Sequence, residues 1–167
     1  MGAAAYRISL VSADEAREIA AWRYDGPYAV YDLGGAGAVE EMLDRRSPYY
    51  AVRDAQDDLV GFFCFGTSAE VGGSGPPRLL DADGTLSVGL GLRPDRTGHG
   101  EGLAFVAAGL DFARQTDAPA GFRLFVMLFN QRAIRVYERA GFVTSGIIRV
   151  PTPDGGEREF VAMRRPA

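Results

Sequence analysis

Apolar residues alternate with polar ones from Tyr6 to Val11, which predicts a first strand. Ser12-Ala13-Asp14-Glu15 then reads as a capping box, in which the Ser12 hydroxyl accepts from the Glu15 N–H and the Glu15 side chain reaches back. The helix it opens carries Ala16, Ile19, Ala20 and Trp22 and stops before Gly26-Pro27. From Trp22 to Asp32 the chain is dense in aromatic residues yet broken by Gly-Pro, so an irregular segment is expected. Its Trp22, Tyr24, Tyr28 and Tyr31 either line a pocket or cover a core edge. A short helix through Val39, Met42 and Leu43 ends near Arg45-Arg46-Ser47-Pro48. Tyr49 to Arg53 and Leu59 to Gly66 form a hairpin about the acidic turn Asp54 to Asp58. Gly66 to Gly84 is polar and rich in Gly and Pro, and reads as a loop.

Thr85 to Leu92 is the next strand, and Leu103, Val106, Ala107, Leu110 and Ala113 mark one face of the helix after it. Phe122 to Leu128 reads as a buried strand. A helix from Gln131 to Ala140 follows, capped by Asn130 and stopped by Gly141 as its C′ residue. Val143 to Val150 and Arg158 to Met163 close the chain as a hairpin about Pro153-Asp154-Gly155-Gly156. The order β-α-α-β-β-β-α-β-α-β-β predicts a mixed α/β sheet flanked by helices.

With 167 residues, a single domain spanning residues 1–167 is expected. No apolar run approaches the roughly 20 residues that cross a bilayer, so no membrane partner is expected. The N-terminus lacks the charge and apolar core of a secretory signal, and Gly2 begins no convincing myristoylation motif, so a cytoplasmic location is expected. The charge of 18 basic against 22 acidic residues, −4, argues against a nucleic-acid partner. There is no lysine; arginine in its place, with abundant Ala and Gly, points to a GC-rich bacterial coding sequence. The one cysteine, Cys64 in Phe62-Phe63-Cys64-Phe65, excludes an internal disulfide and a cysteine zinc site and reads as a buried strand thiol. No metal is expected.

The chemistry concentrates between Leu86 and Arg114, where strand, glycine-rich loop and helix follow one another. A helix that starts on such a loop aims its free N–H groups and the positive end of its dipole at an anion, and phosphate is the expected occupant. A Walker A loop is excluded for want of a lysine, and the G-x-G-x-G spacing puts Leu103 where a dinucleotide fingerprint needs its third glycine. Gly89 and Gly91 inside the strand mark a bulge or a close approach of ligand backbone. The segment Thr97-Gly98-His99-Gly100-Glu101-Gly102, after Gly91-Leu92-Arg93-Pro94, closely resembles motif A of the GNAT acetyltransferases, the coenzyme A pyrophosphate loop, with Thr97 where Gln or Arg is usual. Leu128 to Phe142 resembles motif B of the same family, Asn-x-x-Ala-x-x-x-Tyr-x-x-x-Gly-Phe, and Asn130, Ala133, Tyr137, Gly141 and Phe142 match each position.

The resemblance implies an acetyl-CoA-dependent N-acetyltransferase that works by direct attack of an amine, on a small molecule or a protein N-terminus. The pantetheine arm would run along Leu90, Gly91 and Leu92, with a backbone N–H, that of Leu90, polarising the thioester carbonyl. The amides of Gly98, His99, Gly100, Glu101, Gly102 and Leu103 would hold the pyrophosphate, Thr97 would be a further cofactor contact, and Asn130 and Ala133 would meet the arm. Tyr137, four residues after Ala133 on the inward stripe, would protonate the leaving thiolate; a core tyrosine is the alternative. The carboxylate that many relatives place before motif A is replaced by Ser87, with Asp83, Asp81 and Glu70 upstream; a water chain from Ser87 to Asp83 or Asp81 is one route for the proton, and an acceptor that binds neutral is another. His99 is expected to face solvent or phosphate. GNAT relatives often pair, so a homodimer is possible. Two other classes compete: an acyl-CoA-binding module with weak transfer, and an adenine-nucleotide regulator.

Overall fold

The structure is a computed structural model and describes residues 6–72 and 75–167. Residues 1–5, which carry the N-terminal expectations, and residues 73–74 of the Gly/Pro-rich segment lie outside the described residues. The strands are β1 (Arg7–Leu10), β2 (Tyr49–Arg53), β3 (Leu59–Phe65), β4 (Thr85–Leu92), β5 (Gly121–Met127), β6 (Val143–Pro151) and β7 (Glu157–Pro166). The helices are α1 (Ala13–Ala21), α2 (Ala38–Met42), α3 (Gly102–Asp117) and α4 (Gln131–Arg139). Among the described residues the strands form one mixed sheet in the order β1-β2-β3-β4-β5-β7-β6. Every neighbouring pair is antiparallel except β4 and β5, which α3 connects in parallel. The expected α/β architecture is present. No helix among the described residues is long and apolar enough to cross a membrane.

Local chemistry sets the helix ends. Glu15 N–H donates to Ser12 Oγ at 3.2 Å and Ser12 N–H to Glu15 Oε2 at 2.9 Å, closing the capping box. At the end of α4, Phe142 N–H donates to Tyr137 O and Gly141 N–H to Glu138 O, both at 3.0 Å, a Schellman motif that needs the left-handed Gly141, φ 88°. Three segments differ from the sequence expectation. Gly26–Tyr31, expected to be irregular, is a 3-10 helix started by Pro27. Gly66–Ala69 opens the expected loop as a second 3-10 turn. Strand β7 runs to Pro166 because Arg164, Arg165 and Pro166 pair with Arg123, Phe122 and Gly121.

Two cores lie on opposite faces of the sheet. Phe63, Phe65, Phe105, Leu110, Phe122, Leu124 and Met163 pack under α3 and α4. The Phe63 and Phe105 rings stack at 4.7 Å over Gly109 and Gly61, where any Cβ would collide with them. On the other face Trp22, Met42, Tyr49, Phe62 and Cys64 pack under α1 and α2. The second layer stops short of β5 and β7, and this leaves that face open.

Candidate active site

Strands β4 and β5 pair only from Thr85 to Ser87, against Gly121 to Arg123. Beyond Ser87, β4 stays with β3 and β5 stays with β7, so the sheet parts. A cleft of about 620 Å³ runs through the parting, lined by residues of both faces, Phe105 and Val106 from one and Phe62 and Cys64 from the other. Arg93 N–H donates to Val60 O at 2.8 Å, which by the alternation of an antiparallel ladder turns the peptide groups of Leu90 and Leu92 away from β3. They face the parting. The Leu92 carbonyl accepts the Tyr24 hydroxyl there at 2.7 Å, while the Leu90 N–H meets no acceptor among the described residues. Gly89 and Gly91 clear the floor: a Cβ at either would lie 2.5 Å from Cys64 Sγ or the Phe62 ring.

At the mouth, on the helix side, Gly98 (φ 77°) and Gly100 (φ 81°) bend the loop into α3. The amides of Gly98 through Ala104 donate to no acceptor among the described residues, and Glu101 at the N-cap makes no side-chain cap. They form a nest of N–H groups at the positive end of a 16-residue helix. Gly102 lets α3 approach α4, since a Cβ there would stand 3.2 Å from Val136. Arg96 ties the loop down through Glu101 at 3.0 Å and Asp54 at 2.9 Å. This commits the Glu101 side chain to Arg96 and leaves only its backbone for a ligand. Thr97 is likewise committed, donating to Pro94 O at 2.8 Å. His99 is exposed and does not line the cleft, whereas its neighbours Gly98 and Gly100 do.

Helix α4 brings Asn130, Ala133 and Tyr137 to the cleft. Asn130 Oδ1 caps Ala133 N–H at 3.1 Å and its amide donates to the Tyr31 hydroxyl at 3.1 Å, so most of its capacity is spent within the protein. The Tyr137 hydroxyl has no hydrogen-bond partner among the described residues, and burial, with the Tyr31 phenol nearby, holds its proton well beyond the ordinary phenol range. Arg132, which the sequence reading passed over, stacks on Tyr28 at 4.7 Å and would stand 3.4 Å from a Cβ on Gly98. Its signal was slight: a cation two residues after the Asn130 cap, in the first turn of α4, whose place beside the phosphate loop only the fold supplies.

The carboxylates settle differently from the sequence expectation. Asp83 does not line the cleft. It is exposed on a tight turn, where it accepts the Thr85 N–H at 3.0 Å and faces Arg164 at 4.0 Å. Asp81 bonds Arg78 and Arg123, both at 2.9 Å, and also lies off the cleft. Ser87 is buried and donates to Glu70 Oε1 at 3.3 Å while accepting from Arg123 at 2.8 Å. Glu70 is thus the carboxylate that joins Ser87 to the cleft wall, clasped by Arg78 at 2.9 Å and Arg123 at 3.0 Å. Cys64 is a buried strand thiol as expected; burial pushes it up to about 12. Among the described residues no group of three His, Cys, Asp or Glu side chains is placed to hold a metal.

The nest, the parted strands and the proton-retaining phenol suit a long thioester donor bearing a diphosphate. The sequence pattern of the Acetyltransferase (GNAT) family matches residues 13–142. Mycothiol acetyltransferase of Streptomyces coelicolor is 36% identical over 105 residues, 63% of this chain and 29% of that protein. Mycothiol acetyltransferase of Acidimicrobium ferrooxidans is 39% identical over 67 residues, 40% of this chain and 21% of that protein. The chain therefore matches less than a third of the length of either relative. In fold it is similar to a spermidine N-acetyltransferase SpeG chimera from Vibrio cholerae and hSSAT, TM-score 0.74 at 16% identity, covering 96% of this chain and 95% of that one. The Vibrio cholerae spermidine N-acetyltransferase in complex with CoA and spermine gives a TM-score of 0.70 at 17% identity, covering 96% and 95%. With the family pattern running from α1 through the Gly141-Phe142 that closes motif B, this chain belongs to the GNAT family of acetyltransferases.

Proposed function

We propose that this chain moves an acetyl group from acetyl-CoA to the nitrogen of a small amine, by direct attack with both substrates bound. One observation carries the reading: β4 parts from β5 after Ser87, so that Leu90, its N–H turned to the parting, lines the same cleft as the open-amide loop at Gly98, Gly100 and Gly102. Coenzyme A fits these groups. The amides and Arg132 suit its diphosphate, and the parted edge of β4 suits the amides of its arm. The donor supplies an activated acyl carbon and a thiol leaving group.

The chain's own residues then have distinct tasks. The Leu90 N–H donates to the carbonyl oxygen as charge builds there. The nitrogen–carbon bond forms and the carbon–sulfur bond breaks. Tyr137 gives its proton to the departing sulfur and regains one from solvent. The proton shed by the amine passes to Glu70 through water or Ser87 Oγ, and from there to solvent; the carboxylate lies between Arg78 and Arg123 and lines the cleft. Asp83, exposed and turned away, has no part in this route. We include a homodimer in the proposal: β6 is an edge strand with Val143 and Ile147 exposed, and solution mass tests it.

The test is calorimetric titration with CoA followed by thiol release from acetyl-CoA across a panel of amines. Saturable binding and amine-dependent release are expected. Binding without release on any amine would reduce the chain to an acyl-CoA-binding module, and no binding would remove the proposal.

A further inference from the structure

On the face away from α3 and α4 the cleft is walled by rings. Leu124 and Val126 of β5 and Val161 and Met163 of β7 belong to the core under those helices. By strand alternation Phe125, Met127 and Phe160 therefore point to the other face. Phe125 pairs with Ala162 and Met127 with Phe160, which makes Phe125 and Phe160 diagonal neighbours there. Both line the cleft, and Phe125 is only partly buried. Across the parting stand Phe62, whose ring a Cβ on Gly91 would strike, and Tyr24, whose hydroxyl is spent on Leu92 O. The donor's arm follows the edge of β4, so the rings on β5 and β7 are left for the acceptor.

The acidic groups of the cleft are already matched. Among the described residues its three carboxylates each meet an arginine. Asp32 faces Arg23 at 4.0 Å, Glu70 faces Arg78 at 2.9 Å and Arg123 at 3.0 Å, and Glu101 faces Arg96 at 3.0 Å. Arg132, Arg139 and Arg158 line the cleft as well. Two of the rings also carry a cation: Arg123 lies 5.3 Å over Phe125 and Arg132 lies 4.7 Å over Tyr28. A second ammonium on the acceptor would find no uncommitted carboxylate, and on those two rings it would face a guanidinium.

We infer that the acceptor is a monoamine bearing an aryl group, and that Phe125 is its specificity-determining residue. The inference rests on the acetyl-transfer proposal and narrows its acceptor. Arg123 holds Glu70, which takes the amine's proton, and stacks on Phe125, so the polar and apolar ends of the acceptor site form one assembly. The aryl group packs on Phe125, Met127 and Phe160 and removes their apolar surface from water. A diamine offers no such surface and brings a charge that the cleft does not balance, and it is selected against.

The experiment compares acceptors by thiol release at saturating acetyl-CoA. Benzylamine, phenethylamine and tryptamine are screened, and the best is set against butylamine and putrescine. The aryl amine should exceed butylamine by about tenfold or more in kcat/KM, the worth of its added apolar carbons, and putrescine should fall below butylamine. In Phe125→Ala the aryl-to-alkyl ratio should collapse toward unity. Phe125→Leu, which keeps much of the apolar volume, replaces it if that variant does not fold, and should lower the ratio at least threefold; a cooperative thermal transition shows that a variant is folded. Butylamine or putrescine matching the aryl amine in the wild type, or a ratio unmoved in the folded variant, overturns the inference. If no amine is acetylated, the transferase proposal fails separately, and calorimetric binding of phenethylamine and putrescine decides the inference. Aryl-selective binding that the Phe125 variant abolishes upholds it; equal or absent binding of the two overturns it.

Discussion

The two halves of the cleft are built from different materials. The donor half is backbone: the amides from Gly98 to Ala104 and the outward peptide groups of Leu90 and Leu92, supplied by one continuous stretch of chain. The acceptor half is side chains gathered from far apart, with Tyr24, Tyr31 and Asp32 after α1, Glu70 after β3 and Arg158 at the start of β7. A backbone site depends on where glycines fall, and tolerates wide change elsewhere. A side-chain site changes with each substitution. The donor half is thus suited to a ligand that never varies, and the acceptor half to one that a family can exchange.

The sharpest way to break this contrast is at the boundary between the halves. Tyr137→Phe should lower kcat about a hundredfold while donor affinity stays within about threefold, read by thiol release and by calorimetry. Equal loss of both would make Tyr137 part of the donor cradle instead. Because burial first, and then the Tyr31 phenol, raise its pKa, Tyr137 keeps its proton beyond the ordinary phenol range. The pH profile of kcat should accordingly show no fall from loss of this acid up to about pH 10.

A second test strikes the acceptor wall. Glu70→Gln removes a mostly buried charge from between two arginines and should cost about 2–3 kcal/mol, seen as a drop in thermal midpoint, together with most of the turnover. Donor binding should survive it. The donor half is probed by Gly100→Ala. At φ 81°, with no atom within 4 Å of the new Cβ, the change acts through backbone strain alone, about 1 kcal/mol. It should weaken CoA roughly fivefold and leave the ranking of acceptors intact. Asp83→Asn should change neither half, with kcat within about twofold of wild type; a larger loss would return Asp83 to the proton route.

The same contrast explains what could be read from the chain. Loop glycines at every second residue before an amphipathic helix, and the Asn130-to-Phe142 spacing, are local patterns, so the donor half and the fold around it were legible. Asn130 was legible as a cap. Its bond to Tyr31, 99 residues away in sequence, was not. Glu70 lies 17 residues before Ser87 across a Gly/Pro-rich loop whose turns carry no periodicity, so nothing in the sequence ranked it above Asp81 or Asp83. The 3-10 helix at Gly26–Tyr31 was hidden for a related reason. Pro27 sets its start, but its rings meet Phe129 and Arg132, partners that only the folded sheet supplies.

Cys64 sits under Gly89 at the floor of the cleft, only 4% exposed and with its proton firmly held by burial. A thiol-reactive dye added to the folded enzyme should therefore report only the coenzyme set free, with no contribution from the protein. Once the centre of the sheet opens the same atom becomes a target, so one reagent follows turnover in native buffer and the loss of the fold in denaturant.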